Sequence, residues 1–236
     1  AIIDLLDNSI DGANKINPND YTGLKINITL SDSEFIIEDN CGGFSLEVAQ
    51  KYAFRFGRPD EAPKAHSTVG RFGIGMKRSL FKIGKEFVVE SQSNDDHFKV
   101  IVDVDEWSKK TKKVTADDGN ELEIDDWNFN YQSIDNKKLD TDGTIIKVSN
   151  LNHEVTDLFC DDTFLNELAN DIQKLLNFSL LKGIQITLNG SILKGNRIDV
   201  LISESALPYY ANGKINDVSY RVIAGLGEIG DRKSVV

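Results

Sequence analysis

The stretch Gly70-Arg71-Phe72-Gly73-Ile74-Gly75-Met76-Lys77 decides the reading of this chain, taken together with Asp39-Asn40-Cys41-Gly42-Gly43 upstream. A glycine-rich turn that opens a helix is a ready anion site. Its backbone N–H groups can point inward at phosphate oxygens, and the helix N-terminus adds partial positive charge. Glycine suits such a loop because it tolerates positive φ and lets the backbone approach a ligand with no Cβ in the way. Lys77, one turn into the helix, offers a mobile cation for the same oxygens; a surface helix lysine is the plainer alternative. The pattern is not a Walker A loop, because Met76 separates Gly75 from Lys77 and Arg78 follows.

Three further elements stand around this loop. Residues 1–16 read as a helix in which Ile2, Leu6, Ile10 and Ala13 make a core stripe. Asp4, Asn8, Asp11 and Lys15 fall on the opposite face. A solvated face is the bland explanation, but Asp and Asn are poor helix formers, and solvent faces favour Glu, Lys and Gln. Phe35-Ile36-Ile37-Glu38-Asp39 is an apolar strand that ends in an acid and a glycine turn. Asp142-Gly143-Thr144-Ile145-Ile146-Lys147-Val148 is a turn feeding a strand with a hydroxyl at its start.

These four pieces, in this order over about the first 150 residues, resemble the GHKL superfamily. That superfamily includes the gyrase B subunit, the ninety-kilodalton heat-shock chaperones, sensor histidine kinases and MutL. Its first motif is an acid, three residues, Asn, two residues, Asp, matched by Asp4, Asn8 and Asp11. Its Asp-x-Gly-x-Gly motif is matched by Asp39 and Gly43, and its Gly-x-x-Gly-x-Gly motif by Gly70, Gly73 and Gly75. Its final Gly-Thr pair is matched by Gly143 and Thr144. The Phe-Gly-Ile-Gly-Met-Lys run is most similar to the chaperone and MORC-like branch. Two departures stand out: Asp4 replaces the usual glutamate base, and Cys41 replaces the first glycine of the second motif.

The resemblance implies an α/β two-layer sandwich of the Bergerat type, with helices on one face of a mixed sheet, and with ATP and Mg²⁺ as ligands. It implies that Asp39 accepts from the adenine amino group, with Thr144 sharing the contact. Asn8 ligates Mg²⁺, and the loop of Gly70, Arg71, Phe72, Gly73, Ile74, Gly75, Met76 and Lys77 closes over the γ-phosphate. Asp4 polarises the attacking water, while Asp11 serves as a structural anchor. Residues 55–69 occupy the place of the family's ATP lid, although an ordinary surface loop has the same composition. The expected function is ATP binding with slow hydrolysis that drives closure or homodimerisation of a larger protein. A nucleotide-sensing module without turnover is the alternative, favoured by the short Asp4. A phosphotransferase of the kinase type fits poorly, because the sensor-kinase His box and its Gly-Leu-Gly-Leu loop are missing from the sequence.

Bulk properties narrow the classes. A net charge of −11 argues against nucleic-acid binding through a broad basic surface of this segment. Cys41 and Cys160 lie far apart and the three histidines are scattered, giving no zinc or disulfide pattern and suiting a reducing cytoplasm. No apolar run reaches the length of a membrane span. The chain begins without Met inside a helical pattern, so a piece of a longer protein is expected, with residues 1–195 as the ATP-binding domain and 196–236 as the start of a transducer-like domain.

The remaining pattern predicts strands over 24–30, 86–91 and 98–105 and a short helix over 46–54. A helix from Met76 ends at Ile83, with Gly84 as its left-handed cap. Residues 108–142 read as polar connection with room for a short hairpin. One long helix runs from Thr163 to about Leu181, capped by Asp161 or Asp162. Asn189-Gly190 turns a tight hairpin, and 218–224 form a late strand. Gly225-Leu226-Gly227-Glu228-Ile229-Gly230 fits a dinucleotide fingerprint only superficially, since no helix pattern follows it.

Overall fold

Apolar residues at every second position of residues 24–30, 35–39, 87–91 and 98–102 can be buried only if strands pair and share one covered face. The computed structural model, which describes residues 1–54, 75–94, 96–116, 120–134, 139–196, 205 and 207–226, builds that face. The chain falls into two compact units, Ala1–Gly195 and Asn196–Val236.

In the first unit, α1 (Ile2–Ile16) precedes β1 (Lys25–Leu30) and β2 (Glu34–Asp39). A short α2 (Leu46–Val48), capped by the Ser45 hydroxyl, runs into a π-helix (Ala49–Ala53). Then come α3 (Gly75–Ile83), β3 (Gly84–Gln92), β4 (His97–Asp103), α4 (Val104–Trp107), β5 (Thr111–Thr115), β6 (Glu121–Asp125), β7 (Tyr131–Ser133) and β8 (Gly143–Leu151). The unit closes with α5 (His153–Phe159), α6 (Asp162–Leu175), α7 (Asn177–Leu181), β9 (Gln185–Leu188) and β10 (Ser191–Leu193). Among the described residues the main sheet has eight strands in the order β10-β9-β1-β2-β8-β3-β4-β7. The β1–β9 pair is parallel and its other pairs are antiparallel, so the sheet is mixed, as expected.

Register explains the core. Leu30, Phe35, Val148, Phe87 and Val102 stand in one cross-strand row, and Ile28, Ile37, Ile146, Val89 and Val100 in the next. All ten are buried, together with Leu5, Leu6 and Ala13 of α1, Leu80 and Ile83 of α3, and Leu168 and Ile172 of α6. The other face of the sheet is polar, carrying a Lys147–Glu34 ion pair at 2.5 Å and a Thr187–Asn27 hydrogen bond at 2.9 Å. One apolar and one polar face make this the expected two-layer α/β sandwich.

Several local expectations are corrected. Gly84 is not a left-handed cap: α3 passes straight into β3, and a Cβ at Gly84 would lie 2.8 Å from the Ser149 carbonyl oxygen and from Val148 Cγ1. Its glycine reflects close strand packing. Val104 does not extend β4, because the Asp103 carboxylate accepts from Glu106 N and starts α4. The long helix predicted over 163–181 breaks at Leu176, where φ −101° and ψ 19° separate α6 from α7, and this leaves Leu175 61 % exposed. The connection 108–142 contains the β5–β6 hairpin and β7. It also carries Trp127 and Phe129, which pack on Trp107; Trp107 stacks on Phe81, and Phe129 contacts Phe54 at the end of the π-helix. The Asn-Gly turn forms as read, with positive φ at Asn189 and Gly190.

The second unit contains the β11 (Tyr209–Ile215) and β12 (Val218–Ala224) hairpin. The late strand matches the sequence pattern, and β11 is an addition to it. Residues 227–230 of the glycine-rich run lie outside the described residues.

Candidate functional site

The two apolar rows of the sheet are followed by a third that turns polar. Ile26, Asp39, Thr144, Ser91 and Phe98 are cross-strand neighbours on β1, β2, β8, β3 and β4. They face the same way as the core, so three polar side chains stand at one end of an otherwise apolar floor. Two sequence motifs a hundred residues apart are thereby joined: Asp39 and Thr144 are direct partners in the β2–β8 pair.

Asp39 is half-buried and held from three sides. Ser9 Oγ of α1 donates to its Oδ2 at 2.7 Å, and Cys41 N donates to its Oδ1 at 2.9 Å. Burial pushes its carboxyl above the usual range; the Ser9 hydroxyl and the backbone bonds to Cys41 and Thr144 pull the other way. Ser91 is committed to structure, accepting from Phe44 N at 2.9 Å and donating to Phe44 O at 3.1 Å, which fixes the segment after the Asp39 turn.

Glycine has a steric reason at this turn. Gly42 and Gly43 have φ +91° and +58°, and a Cβ at Gly43 would overlap the Gln92 carbonyl oxygen. Gly143 is pressed as closely against the Asp39 carbonyl. Gly12 of α1 is another: its Cβ would lie 2.5 Å from the Cys41 carbonyl oxygen, so α1 can lie on the turn only with glycine there. Cys41 is absent from the positive-φ residues, so its replacement of a glycine carries no backbone strain. Its thiol is buried, and burial followed by the Asp39 charge pushes it up to about 12.

The carboxylate stripe of α1 faces outward as its spacing predicts. Asp4 and Asn8 are exposed and Asp11 is half-buried. Asp4 Oδ2 accepts from Ser79 Oγ of α3 at 3.2 Å. Gly75, at the start of α3, is a neighbour: a Cβ there would sit 3.9 Å from Asp4 Cβ, an ordinary van der Waals contact. The last glycine of the loop motif is therefore beside the acid of the first motif. Asp7, which belongs to none of the motifs, is half-buried on the same stripe; burial, then Asp4 and Asp11, raise its carboxyl.

Lys77 departs from the picture of an exposed helix lysine. It is 1 % exposed, its Nζ donates to the Ala53 carbonyl at 2.7 Å, and burial lowers it to about 8. It thus ties α3 to the end of the π-helix, where a cation suits the terminal carbonyls. Met76 is half-buried against the core. Gly70, Arg71, Phe72, Gly73 and Ile74, and the lid expected at 55–69, lie outside the described residues.

Ser9, Ser79 and Gly12 escape a reading of the sequence. A serine or glycine within an amphipathic helix carries no periodic signal of its own. The one available cue is Ser9 falling next to Asn8 in the Asp-Asn-Ser run of the first motif.

The model of the family described as histidine kinase-, DNA gyrase B-, and HSP90-like ATPase matches residues 1–141. The chain belongs to this family, as the resemblance to the GHKL superfamily implies, and the matched residues hold the first three of the four motifs. A search of curated proteins found no significant match.

Proposed function

We propose that this member of an ATPase family binds Mg-ATP with its adenine on the Asp39–Thr144 pair and hydrolyses it slowly, driving closure or homodimerisation of a larger protein. The observation that carries the reading is Asp39. It is a carboxylate at the end of an apolar floor, held by the Ser9 hydroxyl and the Cys41 and Thr144 backbone N–H groups, and with about four acceptor sites it retains capacity toward an exocyclic amino group. Adenine presents such a group, and guanine presents a carbonyl at the same place. A bond of this charge-assisted kind contributes roughly 1.5–3 kcal/mol.

The other roles follow along α1 and α3. The backbone of residues 70–75 cradles the γ-phosphate, with Arg71, Phe72, Ile74 and Met76 as the loop's side chains. Lys77 moves from the Ala53 carbonyl to the phosphates. Asn8 is exposed beside Asp4 and fits a metal through its amide oxygen. Among the described residues no cluster of His, Cys, Asp and Glu can hold a metal alone. Magnesium takes few protein ligands and completes its shell with phosphate and water oxygens, so one amide ligand suits it. Such an ion, when bound, neutralises charge developing on the phosphates. Asp4 orients the water, and Asp11 anchors the helix. Aspartate is about 1.5 Å shorter in reach than glutamate, and the start of α3 lies beside it. Residues 55–69 serve as lid and 196–236 as the start of a transducer-like domain.

Among the described residues no helix is long and apolar enough to cross a membrane. The free thiols Cys41 and Cys160 favour a reducing compartment, and we place the protein in the cytoplasm. The side chain of Asp4 is 55 % exposed, which favours a second reading as a sensing module without turnover. A phosphate-release assay separates the two. Slow release that stops on chelation of magnesium is the expected result. Release equal to a protein-free control, with ATP still bound, establishes the sensing module instead.

A further inference from the structure

We propose that Ser79 is a positioning residue for Asp4, compensating for the aspartate that stands where the family has glutamate. The inference rests on Asp4 acting as the water-orienting base. Ser79 lies in the second turn of α3, two residues beyond Lys77, and is 1 % exposed. A serine inside a helix commonly returns its hydroxyl to the carbonyl one turn back. Ser79 instead crosses to α1 and donates to Asp4 Oδ2 at 3.2 Å.

Three features make this bond more than incidental packing. A buried hydroxyl without a partner is unfavourable, so Ser79 is constrained to keep its bond to Asp4. Asp4 is largely exposed, and a free aspartate there samples several rotamers. Fixing Oδ2 leaves Oδ1 as the carboxylate oxygen available to a water molecule. The donor also belongs to the helix whose first residue, Gly75, ends the phosphate loop, so whatever seats α3 also orients Asp4.

The test is a double-mutant cycle on steady-state ATP turnover with Asp4→Asn, Ser79→Ala and the double variant. Ser79→Ala is expected to lower kcat roughly 10- to 100-fold, the scale of a misplaced catalytic group, with KM for ATP unchanged. In the Asp4→Asn background, Ser79→Ala is expected to change nothing further, because its effect acts through that carboxylate. Alanine favours helix and leaves Asp4 open to water, so the variant folds; unchanged KM reports an intact nucleotide site. If the two substitutions multiply, or if Ser79→Ala raises KM at constant kcat, the positioning role is overturned while Asp4 keeps its own. If Asp4→Asn alone leaves turnover unchanged, or the parent shows none, the underlying reading fails and the proposal falls with it.

Discussion

Asp39→Asn is expected to weaken ATP and ADP binding about 100-fold or more while the fold survives. Loss of a charge-assisted bond, with the adenine amino group left facing an amide already engaged elsewhere, amounts to roughly 3 kcal/mol. The fold survives because the substitution can be satisfied in place. The new amide oxygen can accept from Cys41 N, where Oδ1 accepts now, and the Ser9 hydroxyl can rotate to accept from the amide nitrogen. The variant also removes a carboxylate that burial pushes above its usual range, so thermal stability without nucleotide should be equal to the parent's or higher. The same shift fixes the sign of a pH dependence. A raised carboxyl takes up its proton at higher pH than an ordinary aspartate, so nucleotide affinity should fall as pH is lowered through that range. The Asp39→Asn variant, with no carboxyl to titrate, should lose the dependence. Calorimetric titration of parent and variant with ADP at several pH values measures both effects. Unchanged ADP affinity in the variant would remove Asp39 from the site.

Asp4→Asn is expected to lower ATP turnover by roughly 10²- to 10⁴-fold, the usual range for a lost acid–base group, with Mg-ATP affinity retained. Affinity is retained because the proposed adenine and phosphate contacts fall to other elements: Asp39 on β2, Thr144 on β8 and the glycine loop before α3. Asp4→Glu discriminates further. The Ser79 hydroxyl already holds the Asp4 carboxylate at its present reach, so the site is set around a short acid. The added methylene should therefore push the carboxylate past the water and slow turnover. Faster turnover with glutamate would mean that the site is a weakened form of the family's usual one. Parental rates in both variants would remove Asp4 as the base.

The parts of the site legible in the sequence are those whose chemistry is tied to fixed local spacing. Asp4, Asn8 and Asp11 share a helix face because the helical period requires it, and α1 forms as read. The turn glycines are legible for a similar reason, although the structure reassigns their purpose. Gly42 and Gly43 carry the positive φ values, while position 41 needs none and accepts cysteine. What stays hidden is the set of contacts created by strand and helix pairing. Nothing local in Ser79 shows that it faces Asp4, seventy-five residues away, or in Gly12 that it lies on the Cys41 carbonyl. Lys77 reads as a mobile cation for phosphate because the helix pattern cannot reveal that its Nζ is bonded to the Ala53 carbonyl at the end of the π-helix. The break at Leu176 is hidden too, since Leu168, Ile172 and Leu176 keep helical spacing across it. The sheet order is the clearest gain from the structure. It sets Asp39 and Thr144 in one register pair and turns two separate motifs into a single floor.

The central claim is that this floor selects adenine. Calorimetric titration of the chain with ATP, ADP and GTP in magnesium buffer tests it most directly. One-site binding of ATP and ADP is the predicted result, with GTP weaker by about 100-fold, the cost of facing a carbonyl toward a carboxylate. Equal affinity for ATP and GTP, or no binding of ATP at all, would contradict it.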